Sequence, residues 1–192
     1  MQPLDVELVK QTKQGDVLAF EKLFLRYQRR IYNLAYRMVG NEADAADLTQ
    51  ETFIRAYEAI HALRNEAAFS TWLFRIVVNL CKNHRKVAKL ECDSLDELTD
   101  ENGEPEFAWV GTATMTESPE YALERAERDQ QIQAALAALT DEHRTVVVLH
   151  HLEGLSLVEI AKILHCQVGT VKSRLARARE ELKRRLRPYI ES

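Results

Sequence analysis

Eight cationic side chains crowd one short stretch near the end of the chain: Lys172, Arg174, Arg177, Arg179, Lys183, Arg184, Arg185 and Arg187, against only Glu180 and Glu181. Cations at this density neutralise phosphates, and a Lys or Arg in a major groove also pairs with the acceptors on guanine. Ser173, lying among them, can donate to or accept from several bases. The chemistry on offer is nucleic-acid recognition. A charge run alone usually marks the solvated face of an amphipathic helix, so the elements that carry it must decide.

Those elements read as two helices joined by a tight turn. Ser156 and Glu159 have the S-x-x-E spacing of a capping box, which starts a helix at Leu157. Leu157, Ile160, Ala161 and Leu164 then share one face. Residues 165–169 interrupt the pattern, and a second helix follows with Val171, Leu175, Ala178 and Leu182 as its buried stripe and Pro188 as its stop. A short helix crossed by a basic one is a helix-turn-helix, whose second helix puts its N-terminal residues into the major groove. Gly169 and Thr170 provide a small-residue start for it.

A second candidate set lies on a helix expected from Phe69 to about Lys89. Phe69, Trp72, Leu73, Ile76 and Leu80 line one side, and Arg75, Asn79, Lys82, Asn83 and Lys86 line the other. The latter mix amides that read base edges with cations that neutralise phosphate. Phe69 and Trp72 open this helix beside the turn at residues 65–68, where an aromatic can stack on an unpaired base; Trp72 fits a core equally well. A third set occupies a helix from about Asp44 to Ala62. Leu48, Phe53, Ala56, Tyr57 and Ile60 point inward, leaving Asp47, Gln50, Glu51, Ile54, Arg55 and Glu58 outward. That face is either solvated, with Glu51 and Arg55 paired one turn apart, or a dock for another protein.

The remaining elements are also helical. Residues 4–14 form a short helix ended by Gly15, and Asp16 caps a long one over residues 17–39, stopped by Gly40. Its stripe includes Phe20, Leu23, Phe24, Tyr27, Ile31, Leu34, Ala35 and Met38. Ser118 and Pro119 start a helix running to about Leu139, and Thr140 caps another near residues 142–152. Residues 90–119 lack helical periodicity and contain Gly103, Pro105, Gly111 and Pro119. A structureless run of that length inside one compact domain is unusual. The expected fold is therefore all-α: two small helical domains, residues 1–89 and 120–192, joined by a linker over residues 90–119.

Charge follows the same division. The 192-residue chain carries a net charge of −4, but residues 1–89 sum to +4, residues 90–120 to −10 and residues 121–192 to +2. Two mildly basic blocks flank an acid run that the overall charge hides. No apolar run is long enough to cross a membrane, and the N-terminus lacks a basic-then-apolar signal pattern, so a cytoplasmic location is expected. The three cysteines, Cys81, Cys92 and Cys166, are too few and too scattered for a disulfide framework. Cys81 and His84 lie one helical turn apart with Cys92 following, but a fourth metal ligand at suitable spacing is missing. No metal, cofactor or small-molecule substrate is expected, and neither is a catalytic site.

Two segments together carry a family resemblance. Residues 47–57, DLTQETFIRAY, followed by residues 69–79, FSTWLFRIVVN, resemble the second conserved region of bacterial RNA polymerase sigma factors. Residues 154–161, GLSLVEIA, with residues 168–175, VGTVKSRL, and residues 177–179, RAR, resemble the fourth. The two-domain layout is similar to the extracytoplasmic-function (ECF) group. The resemblance implies that Asp47, Gln50, Glu51 and Arg55 meet the clamp of the polymerase's largest subunit. It places Phe69 and Trp72 where the −10 element opens, and Arg75, Asn79, Lys82 and Asn83 on the −10-reading helix. Lys172, Ser173, Arg174 and Arg177 fall on the −35-reading helix, with Gly169 and Thr170 at its start near the phosphates. The helix near residues 142–152 belongs to the part that meets the flap of the second-largest subunit, and the acidic linker threads the RNA exit path. An anti-sigma protein, often membrane-anchored in this group, is a further implied partner. Two readings from other classes stand beside it: an autonomous helix-turn-helix regulator dimerising on a palindromic operator, and a thiol- or metal-dependent enzyme built on Cys81, His84 and Cys92.

Overall fold

The computed structural model describes residues 3–94 and 119–190, with side chains over residues 4–90 and 126–187. Among the described residues there is no strand. Helices α1 (Pro3–Lys13), α2 (Val17–Val39), α3 (Glu42–Ala59) and α4 (Phe69–Ser94) form a first group. Helices α5 (Pro119–Ala137), α6 (Asp141–Val147), α7 (Leu157–Leu164) and α8 (Val168–Ile190) form a second.

Local chemistry sets most of the boundaries. The Asp16 carboxylate accepts from the backbone N–H groups of Leu18 and Ala19 at the start of α2, and Gly40 closes that helix at φ 84°. A Cβ at Gly40 would also stand 3.3 Å from the Gln133 amide nitrogen on α5, so this turn needs glycine for both reasons. Thr140 caps α6 through His143 N–H, and Ser156 and Glu159 complete the capping box of α7. After α6 the chain widens into a π-helical turn, Val148–Leu152. In the turn between α7 and α8, His165 adopts the left-handed region at φ 51°, where a side chain is strained.

Four boundaries differ from the sequence-based expectation. α3 ends at Ala59, and 3-10 turns at Ile60–Ala62 and Glu66–Ala68 carry the chain into α4. α4 continues past Lys89 to Ser94, so the expected linker loses its first five residues; residues 95–118 of it lie outside the described residues. α8 begins at Val168, which places Gly169 and Thr170 inside its first turn. It also runs through Pro188 to Ile190. A proline lacks only its own N–H, and so close to the helix end little is left to disrupt.

The apolar core is continuous through both groups. Leu23, Ile31, Leu34, Phe69 and Phe74 fill the first, Val146, Leu149, Ile160, Val171 and Leu175 fill the second, and all belong to one buried cluster. α4 packs directly on α7, while α2 touches α5, α6 and the π-turn.

Candidate nucleic-acid and polymerase interfaces

The recognition helix is built on the buried side by Val171, Leu175 and Ala178, which seat it on α6 and α7. This leaves Gly169, Lys172, Ser173 and Arg177 exposed on the outer side, with Thr170 and Arg174 half-buried. Lys172 and Arg177 are exposed and, among the described residues, have no ion-pair partner. The Ser173 hydroxyl donates to the Thr170 carbonyl at 3.0 Å. Arg174 is different: its guanidinium pairs with Glu142 at 2.8 Å. Further along, Arg179 donates to the His151 ring at 3.1 Å, and Arg185 to Glu181 at 3.2 Å. Lys172 and Arg177 thus stand free near the helix start, whereas Arg174, Arg179 and Arg185 are held by neighbouring side chains.

On α4 the predicted set separates. Asn79 and Asn83 are exposed, while Arg75 and Lys82 are half-buried against the second group. The Arg75 guanidinium lies 3.3 Å from the His165 ring in the α7–α8 turn. Burial lowers the pKa of the Lys82 ammonium, as does the neighbouring Arg174, while Glu142 and Asp141 act in the opposite direction.

Phe69 is fully buried at 0% exposure, edge-on to Tyr27 at 5.6 Å between ring centroids, so in this structure it is part of the core. A 3-10 turn, Glu66–Ala68, immediately precedes it. Trp72 is half-buried and tilts against Phe69 at 6.0 Å. The groups exposed beside the start of α4 are instead His61, Arg64 and Asn65. Their turn is held from α1 by Lys13, whose ammonium donates to the Leu63 carbonyl at 2.5 Å and meets Glu66 at 2.6 Å.

The outer face of α3 is assembled as the spacing implies. Asp47, Gln50 and Arg55 are exposed, and Glu51 accepts from Arg55 at 2.6 Å one turn away. Ile54 is 52% exposed in their midst. Tyr57, expected inward, is 43% exposed, because Phe20 takes the space beneath it and meets its ring edge-on at 4.9 Å.

The cysteine constellation comes apart. Cys81 is buried in the core, which pushes its thiol pKa up to about 12, whereas His84 turns to Asp44 at 3.1 Å. The side chain of Cys92 lies outside the described residues. Among the described residues no cluster of ligating side chains is of a kind to hold a metal.

Sequence reasoning missed the residues that join the two groups. Arg30 donates to the Glu153 carboxylate at 2.9 Å and to its carbonyl at 3.2 Å, with its guanidinium 5.0 Å above the Phe74 ring. Arg37 pairs with Asp129, and Arg85 with Asp141 at 2.6 Å. The Gln133 amide donates to the Tyr36 carbonyl at 3.1 Å. Arg144, only 3% exposed, donates to the carbonyls of Leu136, Ala137 and Leu139 and to that of Met38 across the boundary. A lone arginine preceding an apolar run, as in residues 144–149, was the one signal available for it.

Glu153 gives a pH-dependent prediction. Burial raises its pKa above the ordinary value near 4.5, and the Arg30 guanidinium offsets only part of that. A carboxyl with a raised folded pKa binds its proton more tightly in the folded state, so its contribution is greatest in acid and is lost as pH rises. The stability of the wild type relative to Glu153→Gln should therefore fall as pH climbs from about 4.5 through the raised value, then level off. Denaturant melts of both proteins across that range measure the difference, and a constant difference would refute it.

Comparison with known proteins agrees with this geometry. Residues 23–90 match the family described as Sigma-70 region 2, and residues 129–182 the family described as Sigma-70, region 4. The chain is 39% identical to the RNA polymerase sigma-H factor of Pseudomonas aeruginosa, over 98% of this chain and 97% of that protein. It is likewise 39% identical to the ECF RNA polymerase sigma factor SigW of Bacillus subtilis, over 93% and 95%. The ECF RNA polymerase sigma-E factor of Escherichia coli is 36% identical, over 97% and 96%. Among solved structures, CnrH in complex with the cytosolic domain of CnrY superposes with a TM-score of 0.69 at 25% identity, over 97% of this chain and 99% of that one. The sigma factor RpoE of Bartonella quintana, solved with the anti-sigma factor NepR, shares the fold at a TM-score of 0.69 and 24% identity, over 89% and 98%. With both regions matched in order and relatives aligned end to end, the chain belongs to the extracytoplasmic-function sigma factors of bacterial RNA polymerase.

Proposed function

We propose that this chain binds core RNA polymerase in the cytoplasm and directs it to a particular set of promoters. In this reading α8 reads the −35 element through Lys172, Ser173, Arg174 and Arg177, with Gly169 and Thr170 approaching the backbone. α4 reads the −10 element through Arg75, Asn79, Lys82 and Asn83, and Trp72 stands where that element opens. The face made by Asp47, Gln50, Glu51 and Arg55 meets the polymerase clamp, α6 and its π-turn meet the flap, and no reaction is catalysed by the chain itself. The observation that carries the reading is the exposed, uncompensated pair Lys172 and Arg177 on the opening turns of a helix-turn-helix whose hydrophobic side is fully seated.

Run-off transcription with purified core polymerase on a promoter library tests it. Specific starts sharing two motifs about one and a half to two DNA turns apart are expected. Absence of starts, with tight binding of the chain alone to a two-fold symmetric duplex, would instead make it an autonomous regulator. Within this reading, Arg177→Ala should weaken binding by about 1–3 kcal/mol at one −35 position when it contacts a base edge. Binding measured over single-base variants of the site separates this from a phosphate contact, which would weaken all sequences equally. An anti-sigma protein is the second partner class, the kind of partner with which the sigma factor RpoE of Bartonella quintana is solved.

A further inference from the structure

Arg179 and His151 make a contact that neither the core nor the promoter-reading set uses. Arg179 stands on the outer side of α8, where spacings of seven and four residues line it up with Lys172 and Lys183. It lies about 10 Å beyond Lys172 along the helix. All three cations are exposed, and among the described residues Arg179 has no ion-pair partner. Its Nε donates instead to Nε2 of His151, at 3.1 Å, from the π-turn that leads toward α7. His151 is exposed as well.

That hydrogen bond fixes the state of the ring. An accepting Nε2 carries no proton, so the imidazole is neutral with its proton on Nδ1. Burial, then Arg179, then His150, whose ring stands edge-on at 4.9 Å, hold its pKa below the ordinary 6.5. The charged groups on the elements packed around this turn are engaged elsewhere. Arg30 of α2 meets Glu153, Arg144 of α6 meets main-chain carbonyls, His143 of α6 faces Glu181 of α8, and Glu159 of α7 meets Ser156. None of the groups acting on the His151 ring is an anion. A phosphate oxygen seated between His151 and Arg179 would accept from both.

We infer that His151 and Arg179 form a clamp for a backbone phosphate of the −35 duplex, and that His151 takes up a proton when that phosphate binds. The clamp rests on α8 being the −35-reading helix. His151 enters just ahead of α7, and the first helix of a helix-turn-helix is the one that crosses the backbone. On binding, the Arg179–His151 hydrogen bond is exchanged for two donors to phosphate: the guanidinium and the newly protonated Nε2–H. The proton comes from solvent. An anion beside an imidazole raises its pKa, so the ring binds its proton more tightly in the complex than in the free protein. The gain in affinity is therefore complete below the free-state pKa and is lost as pH rises through the value in the complex.

The test uses holoenzyme, the full chain assembled with core polymerase, titrated with a promoter duplex recovered from run-off starts. Affinity is measured between about pH 5.5 and pH 8.5, the range in which an imidazole changes charge. Across it, wild type should lose about tenfold in affinity relative to His151→Gln, the effect of one hydrogen bond from a charged group. Glutamine keeps an acceptor for Arg179 but does not titrate, and groups common to both proteins cancel in the ratio. Arg179→Ala should lower the slope of log affinity against log salt by about 1, and Arg179→Lys should restore it. Both side chains are exposed, and far-UV circular dichroism checks that the variants keep their helices. A contact that only braces the π-turn against α8 predicts parallel pH profiles and an unchanged salt slope; either result overturns the clamp. Weakened binding to core polymerase in either variant would place the pair against protein and overturn it too. Starts from every protein with parallel profiles sink the clamp alone, whereas no starts from wild type sink the promoter reading.

Discussion

Replacing Arg144 with alanine should cost about 3–5 kcal/mol of stability, the range seen when one partner of a buried charged contact is removed. The guanidinium donates to four main-chain carbonyls: Leu136 and Ala137 at the end of α5, Leu139 in the turn after it, and Met38 near the end of α2. The last carbonyls of a helix have no partner within it, and they carry its negative dipole end, so a buried cation there satisfies both needs. Truncation removes a donor from each of these oxygens, at about 1–3 kcal/mol where no other donor remains; Leu136 O keeps the Leu139 N–H at 3.1 Å and Met38 O a 3.4 Å contact to Arg85. For a chain of this size the melting temperature should drop on the order of 10 °C. Arg144→Lys should recover only part of this, because one ammonium cannot reach both helix ends. A thermal melt of Arg144→Met at wild-type temperature would show that the carbonyls find other donors and would remove Arg144 from this role.

Phe69→Ala should be comparably damaging, about 3–5 kcal/mol, because a fully buried aromatic leaves a cavity that the first helical group cannot close. The informative variant is Phe69→Leu, which keeps the site apolar and should cost little more than 1 kcal/mol. With core polymerase, its reactivity toward permanganate at unpaired −10 thymines should match wild type within about twofold, since 1.4 kcal/mol would be tenfold. A folded Phe69→Leu protein that fails to open the promoter would mean that Phe69 leaves the core in the polymerase complex.

The two large effects fall on residues of opposite legibility. Phe69 was visible as an aromatic at a helix start, but its direction was not, since periodicity places residues 69, 72, 73 and 76 on one side without saying which neighbour covers them. The packing against α2, with Tyr27 edge-on to its ring, buries Phe69 fully and leaves Trp72 half-buried. Tyr57 shows the converse: its register predicts burial, yet Phe20 on a different helix already fills that space. Arg144 was hardly visible, because its acceptors are carbonyls, a group that every residue carries.

What the sequence determined by itself is whatever depends on short-range chemistry. Asp16, Gly40, Thr140 and Ser156 with Glu159 cap helices through partners at most four residues away, so their spacing predicts them. The stripes of α2 and α8 follow from the helical period, and the basic start of α8 and the polar face of α3 follow from what those stripes leave outward. The two family regions are legible for the same reason, being local strings. Only the tertiary structure decided how the halves meet. Arg30 with Glu153 and Arg85 with Asp141 join residues far apart along the chain, and any of the many surface arginines could have made either pair. Which one does so depends on the relative placement of whole helices, a property of the packed core rather than of any window of residues. The packing of α4 on α7 arises at that level, where arginines of the first group are brought against acids of the second.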